Sequence, residues 1–213
     1  MASTQSVENR QLAVRNLHLW RGDKHLLRNV SLDVSAGELL QIMGPNGVGK
    51  TSLLRCIAGL LPMESGEIEW CGSVCSRNFD ELHQDLAYLA HLNALKSDLT
   101  AAENLRFSIG VRRHVTTAEI ATALERLQVA QCADLPVRSL SAGQKRRVAI
   151  ARVLMSEAKL WVLDEPITNL DSAGIAVVEQ CMAEHLALGG LIVTAAHQTL
   201  LDGRANVRKM ELQ

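Results

Sequence analysis

The run Gly44-Pro45-Asn46-Gly47-Val48-Gly49-Lys50-Thr51 constrains this chain more than any other stretch, because it stands between a strand pattern and a helical one. It satisfies G-x-x-x-x-G-K-[ST] in the context that pattern requires. Glycines let successive backbone N–H groups turn inward around phosphate oxygens, and the helix N-terminus adds its partial positive charge. Lys50 is expected to reach the outer phosphates and the Thr51 hydroxyl to ligate Mg²⁺, with Ser52 next in the same turn. The preceding run, 39–43, lies between Gly37 and Gly44 and reads as a continuous apolar strand covered on both faces. The following run, 51–61, puts Leu53, Leu54, Ile57 and Ala58 on one buried helix face, with Gly59 near its end.

A second run supplies the other half of a nucleotide site. Trp161-Val162-Leu163-Asp164-Glu165 is an apolar strand ending in two adjacent carboxylates, and Pro166 follows. Adjacent acids also occur in solvated loops, but the buried run ahead of them favours a functional strand end. Beside the phosphate loop, Asp164 would hold Mg²⁺ through its water shell and Glu165 would polarise an attacking water.

Around these runs the chain alternates between strand and helix patterns. Residues 12–19 and 30–34 carry apolar side chains largely at alternate positions, with Arg21-Gly22-Asp23 as the turn between antiparallel strands. Over 80–136 the period becomes helical, through Leu82, Leu86 and Leu89, then 99–107 and 118–127. This reads as a helical subdomain inserted into a core of 1–79 and 137–213, all within a single nucleotide-binding domain. A helix at 148–154, a strand at 160–163, a helix at 172–188 and a strand at 191–195 restore α/β alternation, and 207–212 reads as a last edge strand.

With 213 residues, 47% hydrophobic side chains and a net charge of −1, the chain has the core of one full domain. It has no sequence-wide basic field for nucleic acid or an anionic membrane. Its longest apolar runs fall far below the ~20 residues of a bilayer span, and the polar stretch 1–11 carries no apolar signal core. A soluble, cytosol-facing protein is expected. The five cysteines are scattered, and Cys71 and Cys75, the one close pair, have no second pair or His nearby, so buried thiols are expected rather than zinc.

Leu140-Ser141-Ala142-Gly143-Gln144, followed by Lys145-Arg146-Arg147 and a helix, separates the possible families. Ser141 and Gly143 at a helix N-terminus form a second anion site, and one domain does not need two of them for one γ-phosphate. Here the sequence resembles the ATP-binding subunits of ABC transporters, whose signature reads L-S-G-G-Q ahead of the acidic strand, over nearly the whole chain. That resemblance implies a P-loop NTPase of RecA-like α/β core, with an N-terminal antiparallel β layer and an inserted helical subdomain. It implies ATP hydrolysis, with Glu165 activating water and His197, which follows a strand as the switch histidine does, holding the γ-phosphate. Trp20 lies where the family's adenine-stacking aromatic stands, and Thr168-Asn169-Leu170-Asp171 matches the D-loop. In the family a head-to-tail homodimer closes the signature of one subunit, here Ser141, Gly143 and Gln144, over ATP held by the P-loop of the other. Asp171 would then lie at the seam.

One position departs from the family pattern. Ahead of Ala102-Glu103-Asn104-Leu105, the place of the Q-loop glutamine is held by His91. An imidazole cannot copy an amide that donates and accepts on one short arm, so the usual Mg²⁺ contact is open, the alternative being that His91 faces a membrane partner. The stretch Leu89-Ala90-His91, the signature with its basic tail and the acidic strand look most like the ATP-binding subunit of bacterial cytochrome c maturation, the CcmA type. That resemblance implies an ATPase powering release of haem from a periplasmic chaperone, working through an integral membrane subunit docked near 87–105, peripheral on the cytoplasmic face of the inner membrane. Another small-substrate ABC exporter or a non-transport regulatory ATPase is the alternative. A P-loop kinase would have no use for a signature helix.

Overall fold

The computed structural model describes residues 11–75 and 78–213, so the polar opening stretch lies, Gln11 apart, outside the described residues. β1 (Gln11–Arg21) and β2 (Lys24–Ser35) pair antiparallel across a Gly22-Asp23 turn. β4 (Ser65–Trp70) lies on the other side of β1, and β5 (Ser73–Val74) extends it, giving the order β2-β1-β4-β5. The sequence pattern does not announce these two strands, because only Ile68 and Trp70 of β4 are buried and both residues of β5 are exposed.

The second sheet is parallel. β3 (Leu39–Met43), β6 (Leu86–Leu89), β7 (Leu160–Asp164), β8 (Leu191–Ala195) and β9 (Val207–Glu211) line up as β6-β7-β8-β3-β9. Its central strands are covered on both faces, and consecutive side chains alternate between two cores. Leu160 and Val162 enter the core shared with the antiparallel sheet, whereas Trp161 and Leu163 enter the core under the helices. Leu191 and Val193 follow the first pattern and Ile192 the second.

α1 (Lys50–Ile57) is packed between the two sheets through Leu53, Leu54 and Ile57, and it stops short of the expected end because the chain turns at Gly59, φ +67°. α2 (Asp80–Asp85) is a short lead into β6. The expected helical boundary at 80–136 is therefore corrected: Leu86–Leu89 is a strand that pairs with Leu160–Leu163 at the edge of the parallel sheet. Leu82, Leu86 and Leu89 share burial but not one helix, and a short apolar run does not separate the two periods. α3 (Ala101–Gly110), α4 (Thr117–Arg126), α5 (Ala142–Met155) and α6 (Ser172–Ala187) bury their apolar faces in the second core. Capping boxes start three of them, at Thr100 with Glu103, Thr116 with Glu119 and Ser141 with Gln144.

Candidate nucleotide-binding site

The C-terminal ends of β3, β7 and β8 converge, as ligand sites of open α/β sheets do. The loop after β3 carries the glycines, β7 ends at Asp164, and the turn after β8 carries His197. Asn46, Gly47, Gly49, Lys50, Thr51, Ser52, His91, Asp164, Glu165 and His197 line one cavity of about 410 Å³, together with Arg21 and Leu26. Gly44 and Pro45 lie beneath it, their carbonyls accepting from Lys50 Nζ at 2.6 and 3.1 Å. Val48 packs into the core behind the loop. Gly49 must be glycine: its φ is +115°, and a Cβ would stand 2.7 Å from Leu27 Cδ2 on β2.

The acidic strand end meets α1 directly. Thr51 Oγ1 donates to Asp164 Oδ2 at 2.9 Å, so a hydroxyl and a carboxylate oxygen stand side by side. Among the described residues no cluster of three or more His, Cys, Asp or Glu could hold a metal. That donor set fits Mg²⁺, which is bound by few protein oxygens and completes its shell with phosphate and water. Glu165 is held at φ +51°, a left-handed conformation that costs about 1–3 kcal/mol away from glycine and concentrates at active sites. Its N–H donates to Ala195 O at 2.8 Å, and its Oε1 lies 3.5 Å from His197 Nε2.

Two buried polar side chains fix this geometry, and neither was singled out from the sequence. Gln41, in the strand read as continuously apolar, is fully buried. Its Nε2 donates to Gln198 O at 2.7 Å and to Ala196 O at 3.3 Å, and its Oε1 accepts from Leu200 N at 3.1 Å, which pins the turn carrying His197. Arg146, in the basic tail of the signature, is 2% exposed. It donates to the carbonyls of Asp164 (2.6 Å), Glu165 (2.7 Å) and Pro166 (3.1 Å), and on its other side to Ala90 O and Asn93 Oδ1, both at 2.9 Å. Burial pulls its guanidinium down to about 10, with Asp164 and Glu165 opposing that shift. A single polar residue inside an apolar run was the available signal for Gln41. For Arg146 there was none, since a basic tripeptide normally marks a solvated helix face.

Ser141, Gly143 and Gln144 are not in the phosphate-loop cavity. They line another, of about 580 Å³, with Asn169, Leu170 and Asp171. Ser141 Oγ accepts from Gln144 N at 3.1 Å while Gln144 Oε1 accepts from Ser141 N at 2.8 Å. A Cβ on Gly143 would meet Asn169 O at 2.7 Å, so the signature turn and the D-loop touch only because that residue is glycine. Asp171 caps α6 and accepts from Arg147 Nη2 at 2.6 Å; the Gly174 N–H, and then the Arg147 guanidinium, hold its carboxyl below the usual range.

Trp20, expected at the adenine, is not among the residues that line the phosphate-loop cavity. Its indole instead stacks on His25, with ring centroids 4.4 Å apart and planes 6° apart. His25 Nε2 in turn faces His18 Nδ1 at 3.0 Å. Desolvation, then Arg28 and His18, push the His25 imidazole below its ordinary value. Neighbours along a strand point to opposite faces, and here Arg21 takes the inner side.

Fold and site together define a nucleotide-binding cassette, and the family model described as ABC transporter matches residues 27–168. The chain is similar to the Cytochrome c biogenesis ATP-binding export protein CcmA of Vibrio parahaemolyticus, 43% identical over 202 residues that cover 94% of this chain and 98% of that one. It is likewise 43% identical to the CcmA protein of Yersinia pseudotuberculosis, over 93% of this chain and 91% of that one. Among solved structures it resembles an ABC transporter ATP-binding protein from Pyrococcus furiosus, with a TM-score of 0.82 and 25% identity over 95% and 97% of the two chains. A dimeric ATP-binding cassette in a post-hydrolysis state, bound to ADP and Pi, gives a TM-score of 0.80 at 25% identity over 88% of each chain. The chain belongs to the ABC ATPases, and within them to the CcmA family of cytochrome c biogenesis ATP-binding proteins.

Proposed function

We propose that this chain hydrolyses ATP at a site completed by a second copy of itself, and that an integral membrane subunit carries the resulting motion into haem handling during cytochrome c maturation. One observation carries the reading. The phosphate loop, the acidic strand end and His197 share a cavity, while the signature turn of the same chain opens onto another. A head-to-tail pair brings Ser141 and Gly143 of one copy, with their helix N-terminus, over the γ-phosphate held by the other.

Within that site each side chain has a role set by its chemistry. Lys50 exchanges its carbonyl partners Gly44 and Pro45 for the outer phosphates. Thr51 and Asp164 hold Mg²⁺, which when bound neutralises charge on the phosphate oxygens. Glu165 accepts a proton from the attacking water, and His197, 3.5 Å from it, steadies the γ-phosphate. His91 stands at the cavity wall where an amide stands in most of the family, joined through the backbone of its own loop to Arg146.

The membrane subunit docks on the face around 87–105. Exposed Leu60, Leu92, Phe107 and Val111 support this, as does an open groove of about 450 Å³ that includes Leu60, Ala87, Tyr88 and Arg112. No helix among the described residues is long and apolar enough to cross a membrane, which fits a peripheral subunit on the cytoplasmic face of the bacterial inner membrane. The haem step rests on likeness to relatives named for cytochrome c biogenesis and export.

The test is phosphate release from ATP by the full chain with its membrane partner. Lys50→Ala should abolish it and weaken ATP binding strongly. Full turnover in that variant would overturn the assignment.

A further inference from the structure

We propose that Arg146 is the positioning residue of the hydrolytic step: from behind the site its guanidinium holds the backbone on both sides of Glu165, and so sets where the carboxylate that takes the water's proton stands. The inference rests on the ATPase reading above and names the group that aims its general base.

Lys145-Arg146-Arg147 is a basic run, yet only Arg146 of the three is buried, because it shares a face of α5 with Ala149 and Ile150, which are buried as well. It is absent from the lining of the phosphate-loop cavity, so it acts through its neighbours rather than on the nucleotide. Among the described residues no carboxylate oxygen bonds to it; Asp164 and Glu165 give it their backbone carbonyls, while their side chains face Thr51 and His197.

Two peptides meet at the Glu165 Cα, and both are held. The first has its carbonyl, Asp164 O, on Arg146 Nη2 at 2.6 Å and its N–H on Ala195 O at 2.8 Å. The second has no N–H to give, since Pro166 follows, so only its carbonyl can be anchored. That carbonyl, Glu165 O, accepts from Arg146 Nη2 at 2.7 Å and from Thr168 N at 3.2 Å. A left-handed residue other than glycine persists only where its surroundings over-determine it, and at Glu165 these bonds do so. Released from them, the residue relaxes toward ordinary backbone angles and its carboxylate leaves its place beside His197.

The shape of the guanidinium matters as much as its charge. Nε and Nη2 face the acidic strand end, whereas Nη1 faces Ala90 O and Asn93 Oδ1, both at 2.9 Å, on either side of His91. One rigid fork thus spans two segments of the cavity wall. An ammonium gathers its three donors on one atom and cannot reach both.

The experiment measures ATP binding, and KM and kcat for phosphate release, on the full chain with Arg146→Lys and Arg146→Gln, each made in the parent and in Glu165→Gln. In the parent both substitutions should lower kcat by about tenfold or more, as a misplaced reacting group does, and leave KM and ATP affinity within about twofold. In Glu165→Gln, where no base is left to aim, the same substitutions should change the residual rate by about twofold or less. A residue that only supports the fold would cost the same factor in both backgrounds. That additive result would overturn the proposal, as would an unchanged kcat in Arg146→Lys or a KM that rises in step with the fall in kcat. Loss of ATP binding in both Arg146 variants would assign the residue to the fold and overturn it too. Lys50→Ala, run in parallel, tests the underlying ATPase reading separately, because its outcome does not depend on how Glu165 is held.

Discussion

Glu165 shows how chemistry and backbone meet in one residue. It follows a fully buried strand, turns into a left-handed conformation, and brings its carboxylate beside His197 while Asp164 stays paired with Thr51. Glu165→Gln should therefore keep ATP affinity and slow phosphate release by about a hundredfold or more, because an amide cannot take the water's proton. Equal loss of binding and turnover in that variant would place Glu165 among the binding groups instead. At this scale the phosphate loop and the acidic strand end were readable from spacing, whereas His91 and His197 were named only through the family resemblance. Lys50, Thr51, Asp164, Glu165, His91 and His197 meet in one cavity. Trp20 is different: Leu17 and Leu19 are buried in one core, so alternation along β1 carries Trp20 to the other, exposed face. A motif match alone does not say which face of a strand a residue takes.

At the scale of elements, helices were legible from their periods, the first strands from alternation, and the strand before the phosphate loop from its flanking glycines. β6 was not, because four apolar residues fit either period and only pairing with β7 decides between them. β4 and β5 gain their order from β1 rather than from their own pattern. Two predictions belong here. Gln41→Leu strips partners from Leu200 N and from the carbonyls of Ala196 and Gln198, so stability should fall by about 2 kcal/mol or more. Phosphate release should show a larger drop in kcat than change in KM, since the His197 turn loosens. Unchanged kcat in the folded variant would remove Gln41 from any positioning role. The second concerns the start of α4. The Thr116 N–H, then the Arg113 guanidinium and the Thr116 hydroxyl, hold the Glu119 carboxyl down to about 2. A carboxylate whose folded value lies below its unfolded value of about 4.3 stabilises the fold above that value, and the contribution disappears as pH falls toward about 2. Thermal melts across that acid range should lose less stability in Glu119→Gln than in the parent, and parallel losses would contradict the assignment.

On the proposed reading, the whole molecule is organised around two half-sites that a single chain keeps apart. The phosphate loop and the signature turn line different cavities, and Arg146 ties the signature helix to the acidic strand end and to the His91 loop. On the proposed reading, closure over ATP would reach the arm at which a membrane subunit docks through this one buried guanidinium. At this scale the partners, a head-to-tail second copy and an integral membrane subunit, came only through the family resemblance, since a surface pairing leaves no period in the chain that carries it. The most direct measurement is the mass of Glu165→Gln by sedimentation with saturating ATP and Mg²⁺, against the same protein with ADP. ATP should shift the 23.2 kDa chain to twice its mass and ADP should leave it monomeric, and replacing Ser141 by Arg, which blocks the signature turn, should abolish the shift. A protein that binds ATP stoichiometrically yet stays monomeric would contradict the shared site.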